Sequence, residues 1–267
     1  MTRLCIFAHF DAGGGVAPYV LYHLDKLRVV CDRLVVASNS PVSGAARKAV
    51  APLADRILER PNTGFDFAAW RDGLADEDMS RWRTVLLVNS SMIGPLRPLS
   101  PVLDAMEARR CDFWGFTWHD EIAPHLQSYF LAFRAPVVRS AAWREFWFSV
   151  RDEVDKKALI RDYEAGLTGF LESRGFAADS FIAPMQFDGP GRFTWQRRAS
   201  LLPKWRKVDR NHADLTMFAA PELVAAGMPY VKASLVWGSK GRRRPRDIAR
   251  IRALPGLDYD WSLLDRR

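Results

Sequence analysis

The chain has 267 residues, of which 48% are hydrophobic and 26% charged, and it carries a formal net charge of +8. That composition excludes a disordered chain and suits one large domain or two small ones. Its basic balance favours anionic partners: nucleotides, nucleic acid or an acidic lipid surface.

Residues 4–8 are apolar and short, and read as a first strand. His9 and Asp11 interrupt the stretch too early for a signal peptide, and no run approaches the roughly 18 apolar residues that span a bilayer. A glycine-rich turn at 11–15 follows, then helical spacing over 16–27 with Val20, Leu24 and Leu27 on one face. Residues 33–37 form a second strand ending on Ser38-Asn39-Ser40, and 41–53 a partly helical connection. A third strand at 55–58, a helix at 67–74 and a fourth strand at 84–88 complete the alternation. Strands alternating with helices predict βαβ units and a parallel sheet covered on both faces. Residues 112–117 and 128–133 then read as two strands with no helix between them, joined by the polar connection 118–127, so part of the sheet turns mixed or antiparallel. Helices are expected at 143–150 and 157–173. Beyond 176 the pattern loosens under prolines 184, 190, 203, 221, 229 and 245. The expected organisation is one α/β body over 1–235 with a basic C-terminal extension over 236–267.

Cys5, Cys31 and Cys111 are scattered and odd in number, which argues for a reducing compartment and against a disulfide framework or zinc site. The expected location is cytoplasmic. Arg197, Arg198, Lys204, Arg206, Lys207 and Arg210 cluster, and the tail from Lys240 holds Arg242, Arg243, Arg244, Arg246, Arg250 and Arg252 against Asp247. A solvated tail and a peripheral contact with an anionic membrane on its inner face both fit. The tail lacks interleaved aromatic residues for stacking bases, so nucleic acid is not the expected partner.

Several motif classes are excluded. His9-Phe10-Asp11-Ala12-Gly13-Gly14-Gly15 opens a helix and would let a phosphate approach the backbone. Pro18 replaces the third glycine of a dinucleotide fingerprint, and the second strand lacks the ribose-binding acid. A tight turn requiring positive φ also explains these glycines. There is no Walker pattern and no Gly-x-Ser-x-Gly elbow, and His119-Asp120-Glu121 with His125 matches no zinc spacing. What remains is an edge. Four strands end in hydrogen-bonding side chains: His9 and Asp11, Ser38 and Asn39, Asn62 and Asp66, Asn89 and Ser91. Asn62, Gly64 and Asp66 also suit a turn and helix cap, but a sheet whose carboxyl edge is polar throughout is a binding edge. Glu164 falls on the apolar stripe Ile160, Tyr163, Leu167, Phe170 and Leu171. A carboxylate there is costly unless it is paired or faces a cavity, which leaves a salt-bridged core glutamate, one that snorkels to the rim, or a general base at the floor of a cleft.

In this order occur His9-Phe10-Asp11, Asn62-x-Gly64-Phe65-Asp66-Phe67 with Trp70-Arg71, Asn89-x-Ser91 with Gly94-Pro95, and Asp112-Phe113-Trp114-Gly115. His125-Leu126-Gln127-Ser128-Tyr129-Phe130, Tyr163-Glu164, Gly175-Phe176 and Pro229-Tyr230-x-Lys232 follow. The pattern, spanning roughly residues 4–235, resembles the rhamnan synthesis protein F family of bacterial polysaccharide glycosyltransferases. The resemblance implies a GT-A-like, Rossmann-related fold: a mixed, mostly parallel sheet flanked by helices. It also implies work on rhamnose-containing surface polysaccharide, O-antigen or capsule. Where the family pattern carries an aspartate between the asparagine and the serine, this chain has Ser90, which puts metal dependence in question.

The expected reaction is inverting sugar transfer from a nucleotide-sugar of the dTDP-rhamnose kind to a saccharide or lipid-linked saccharide. His9, Asp11, Asn62, Gly64 and Asp66 would hold the nucleotide, Asn89 and Ser91 the sugar-diphosphate region, and Glu164 would act as base. Arg71, Lys232 or a bound Mg²⁺ or Mn²⁺ would meet the leaving charge. Trp118, His125, Gln127 and Ser128 would face the acceptor, and Trp114 and Tyr129 either join them or pack in the core. The alternative is a non-catalytic nucleotide-sugar-binding module that partners a larger synthase.

Overall fold

The computed structural model describes residues 2–119, 122–153, 155–182, 214–238 and 242–265. Expectations for the basic cluster at 197–210, for prolines 184, 190 and 203, and for Asp120, Glu121 and Lys240 lie outside the described residues. Within them, the chain alternates as β1 (Arg3–His9), α1 (Pro18–Val30), β2 (Arg33–Ser38), α2 (Gly44–Val50), β3 (Arg56–Glu59), α3 (Phe65–Leu74) and β4 (Thr84–Asn89). These elements coincide closely with those read from periodicity. Next come β5 (Met92–Ile93), α4 (Ser100–Glu107), β6 (Phe113–Gly115), β7 (Trp118–His119), β8 (His125–Leu126), β9 (Phe130–Arg134), α5 (Ala135–Val138) and α6 (Ala141–Ser149). After α7 (Lys156–Leu159) and a π turn at Ile160–Glu164, α8 (Ala165–Glu172) leads to β10 (Ala178–Ser180), and β11 (Val231–Lys232) follows later.

The seven-stranded sheet has the order β10-β6-β9-β4-β1-β2-β3. β1, β2, β3 and β4 are mutually parallel, and β9 runs antiparallel to both β4 and β6. The rhythm change after residue 112 is this reversed strand. The expected mixed, mostly parallel sheet flanked by helices is the architecture found, and it is GT-A-like. Side chains alternate across a strand with period two, so β1 feeds two cores. Cys5 and Phe7 join α1 and α4 through Leu24, Leu27, Leu103 and Met106. Leu4, Ile6 and Ala8 join α3, α6 and α8 through Trp70, Trp143 and Leu171. Each large apolar side chain fully buried contributes about 1.5–3 kcal/mol, which is why these strands read as continuous apolar runs.

Three features depart from the expected elements. The polar connection 118–127 contains the hairpin β7–β8, pairing Trp118 with Leu126 and His119 with His125. Leu126 is core and Trp118 packs against that core, so burial overrides local polarity. The expected helix at 157–173 is interrupted by the π turn, where the Ala165 N–H donates to the Ile160 carbonyl. The C-terminal helix Pro245–Arg252 turns Ile248 and Ile251 into a third apolar cluster with Ile93, Leu96, Val224 and Leu235.

Candidate functional site

The carboxyl ends of β1 and β2 meet through side chains. His9 Nδ1 lies 3.0 Å from Ser38 Oγ, with both residues buried. Burial lowers the His9 pKa from its ordinary value, against an opposing pull from Asp11, so this imidazole is neutral at pH 7. The Asp11 N–H donates to Ser40 Oγ at 3.2 Å, and Asp11 Oδ1 accepts the Gly13 N–H at 2.7 Å. The glycine turn is therefore closed by the aspartate of its own loop, with Gly14 at φ +68° and its carbonyl receiving the Ser43 N–H. Positive φ explains a glycine at that position.

The start of α3 is set by its backbone. Gly64 has φ +66°, and a Cβ there would stand 2.4 Å from the Ala68 Cβ, so only glycine fits. Phe65 follows at φ +46°, a strained position for a bulky residue and one of the features that gather at functional sites. Trp70 Nε1 donates to the Val88 carbonyl at 3.0 Å and anchors the helix over β4. Asp66, one turn earlier on the same face, accepts from Asn89 Nδ2 at 2.8 Å. Asn89 Oδ1 in turn accepts from Ser91 N–H and Oγ. Ser90, half-buried between them, receives the Tyr19 hydroxyl on its carbonyl at 3.0 Å. Asn62 is exposed on the preceding loop.

Beneath that loop lies Arg60, with its side chain 4% exposed. It donates to Asn39 Oδ1 at 2.6 Å, to the Pro61 and Thr63 carbonyls, to Asp72 and to Asp152. Buried charge is tolerated only with such pairing. Arg71 shares the two aspartates and donates to the Val150 carbonyl. Asp72 raises its pKa first through their hydrogen bond. Its guanidinium faces these partners rather than Asn89 and Ser91.

The other wall of the edge comes from 127–129. The Asn89 N–H donates to the Tyr129 carbonyl at 3.3 Å, so this segment abuts the end of β4. Ser128 donates from N–H (3.2 Å) and Oγ (2.8 Å) to Glu164 Oε1. Glu164 is half-buried, and among the described residues its carboxylate has no cationic partner within ion-pair distance. Lys232 stands opposite Met92 in the antiparallel β5–β11 pair, and the Ala233 N–H donates to the Ser91 carbonyl at 2.9 Å. Lys232 Nζ is paired with Asp214 Oδ2. Gln127 accepts from Thr117 Oγ1 at 2.7 Å and donates to Asp214 Oδ1 at 3.3 Å. Tyr129 and Trp114 are buried core residues, and Trp118 is partly buried against the other core. His125 is buried, 2.6 Å from the Ala123 carbonyl and edge-on to His119.

Asp66, Asn89, Ser91, Gln127, Ser128, Glu164 and Lys232 thus share one rim, with His9 and Asp11 on its β1–β2 side. Arg71 turns instead to Asp72 and Asp152, while Asn62 is exposed on its loop and His125 is buried against the Ala123 carbonyl. Arg60 and Asp214 escaped the reading from sequence. Arg60 directly follows β3, whose partner β2 ends in the polar Ser38-Asn39-Ser40, a signal that was available. Nothing local marked Asp214.

A protein from Sinorhizobium fredii named Uncharacterized protein y4gN is 29% identical over 157 residues, 57% of this chain and 41% of its own length. Virulence protein VirA of Vibrio anguillarum is 32% identical over 127 residues, covering 45% of this chain and 40% of its own. The chain therefore spans about two fifths of the length of these curated relatives. A solved 4-diphosphocytidyl-2C-methyl-D-erythritol synthase from Anaerococcus prevotii covers 67% of this chain and 88% of its own, at 11% identity and TM-score 0.42. At that level the correspondence supports no inference, and the fold class rests on the strand order. The rhamnan synthesis protein F model matches residues 34–202, well over half of the chain, from the second residue of β2 through β10, elements that carry the larger part of the rim. The chain belongs to the rhamnan synthesis protein F family.

Proposed function

We propose that this chain is an inverting glycosyltransferase that moves rhamnose or a related deoxysugar from a nucleotide-sugar to a bacterial surface polysaccharide. The observation that carries the reading is Glu164. Its carboxylate is oriented by the Ser128 N–H and hydroxyl beside the Asn89–Ser91 loop, with no neutralising cation among the described residues. Family membership supports the same substrate class.

In this reading His9, Asp11, Asn62, Gly64 and Asp66 line the nucleotide side, and Asn89 and Ser91 the sugar-diphosphate region. Gln127, Ser128, Trp118 and His125 belong to the acceptor side. The acceptor hydroxyl gives its proton to Glu164 as its oxygen bonds to the anomeric carbon from the face opposite the diphosphate. The carbon–oxygen bond to the diphosphate breaks, and Glu164 later releases the proton to water. The departing charge needs a cation. Lys232, paired with Asp214, flanks Ser91 and suits that role, whereas Arg71 faces Asp72, Asp152 and the Val150 carbonyl away from that loop. A divalent ion bound through one or two carboxylates and substrate phosphates would have to draw Asp66 away from Asn89. Among the described residues no three His, Cys, Asp or Glu side chains gather for a metal.

Residues 1–235 would form the nucleotide-sugar-binding body and 236–267 a basic extension that meets anionic lipid on the inner face of a membrane. Among the described residues no helix is long and apolar enough to cross a bilayer. A second reading, a non-catalytic nucleotide-sugar-binding partner of a larger synthase, is favoured by Ser90 at the loop's centre. Purified protein incubated with a panel of nucleotide-sugars, followed by thermal shift and then by release of nucleoside diphosphate, separates the two. A ligand at 100 times its dissociation constant adds about 2.7 kcal/mol of stability. Binding with turnover supports the enzyme, binding without turnover supports the module, and no binding removes both.

A further inference from the structure

Asp214 is a charged group that the proposed transfer leaves unused, yet it touches both sides of the rim. Its Oδ2 receives Lys232 Nζ, while Oδ1 receives the Thr216 N–H at 3.1 Å, the Thr216 hydroxyl and Gln127 Nε2 at 3.3 Å. Lys232 is fixed beside Ser91 by the β5–β11 pairing. Gln127 is held from behind by Thr117 and precedes Ser128, which orients Glu164. The two oxygens of one carboxylate therefore reach the donor-side cation and the acceptor-side amide, which enter from separate segments. Burial pushes the Asp214 carboxyl up, but the Lys232 ammonium and the hydrogen bonds from Lys232, Thr216 and Gln127 outweigh it and hold the pKa below the ordinary value. The group is an anion at neutral pH.

We propose that Asp214 is a positioning residue that sets Lys232 and Gln127 relative to each other, so that the cation for the leaving diphosphate and the acceptor-binding amide are ordered by one carboxylate before substrate arrives. This rests on the transfer reading above and names a residue that reading does not use. A lysine on four rotatable bonds loses much side-chain freedom when it engages a phosphate. Ordering it beforehand removes that cost from the binding step.

The test uses the full chain, wild type beside Asp214→Asn, Asp214→Glu and Gln127→Ala, in two assays. Calorimetry measures binding of UDP and dTDP, and transfer kinetics are recorded with donor and acceptor varied in turn. Asp214→Asn is expected to weaken nucleoside diphosphate binding and to raise the KM of both donor and acceptor. The expected size is roughly tenfold each, that of one hydrogen bond to a charged group. Asp214→Glu, which keeps the charge on a longer arm, recovers part of both effects, and Gln127→Ala raises the acceptor KM alone. A structural role would lower kcat or the folded fraction with both KM values unchanged. That outcome, or a change in only one KM, overturns the proposal. Should Asp214→Asn not fold, unchanged KM values in Asp214→Glu overturn it equally. Wild-type protein that binds nucleoside diphosphate while Asp214→Asn binds it as tightly sinks this proposal alone. Wild-type protein that binds none sinks the transfer reading with it.

Discussion

Two regions of the molecule invite a ligand, and they differ in kind. The carboxyl edge of β1–β4 is rich in hydrogen-bonding groups. The groove between α3 and α6, by contrast, encloses about 810 Å³ and is lined by Arg71, Met79, Trp143, Trp147, Phe148 and Arg151. Its chemistry is spent elsewhere. Arg71 is committed to Asp72 and Asp152, and Trp143 and Trp147 are buried and pack on each other, with Trp147 also stacked on Phe67. At the edge, Glu164, Lys232 and Asn89 are oriented by neighbours and remain half-buried or beside exposed Ser91. Volume marks where helices fail to meet, whereas oriented polar groups mark where chemistry can occur.

The largest expected effect is on Glu164. Glu164→Gln should lower transfer by about 10²–10⁴ and leave nucleotide binding intact, read by single-turnover kinetics and calorimetry. Full turnover would strip the edge of its base and leave the comparison without its strongest side. Next is Arg60, which holds the edge from within. Arg60→Met takes the donor from the buried Asn39 amide oxygen and the Pro61 and Thr63 carbonyls, while Asp72 and Asp152 keep Arg71, and should destabilise the fold by about 1–3 kcal/mol in urea titration. A loss under about 1 kcal/mol would mean the hub behaves as a surface pair.

The acid response should come from below the edge. His23 is buried against Phe7 and the Tyr230 hydroxyl, two residues before Lys232. Burial lowers its pKa to about 3, against about 6.5 in an unfolded chain. Between those values the unfolded chain binds a proton that the folded one refuses. Stability should therefore fall as pH drops from about 6.5 toward 3, by up to about 1.4 kcal/mol per pH unit from this group. His23→Gln should flatten that slope in denaturation curves taken across the window, and an unaltered slope would assign it to other groups. The smallest effect belongs to the groove. Phe148, 82% exposed, changed to Ser should alter stability by no more than about 0.5 kcal/mol and nucleotide affinity not at all. A clear loss of affinity would move the site to the groove.

Much of this was legible in the chain. The apolar runs of β1, β2 and β4 and the helical face of Val20, Leu24 and Leu27 are local periodic patterns. The polar strand ends His9, Ser38, Asn39 and Asn89 follow in register because parallel pairing aligns their carboxyl ends. The reversed strand β9 announced itself through a missing helix. By contrast, β7, β8, β5 and β11 span two residues each, too short for any period to show.

Sequence by itself determined the alternation of elements, the two-faced burial of the central strands and the polar character of one sheet edge, because each depends on residues within a few positions of one another. Only the tertiary structure decided who faces whom along that edge. Glu164 meets Ser128 across 36 positions and Arg60 meets Asp152 across 92, while Arg71 is drawn away from the rim by Asp72 and Asp152. Such contacts are chosen by how helices pack on the sheet and by the cost of leaving a buried charge unpaired, and neither is written in local spacing.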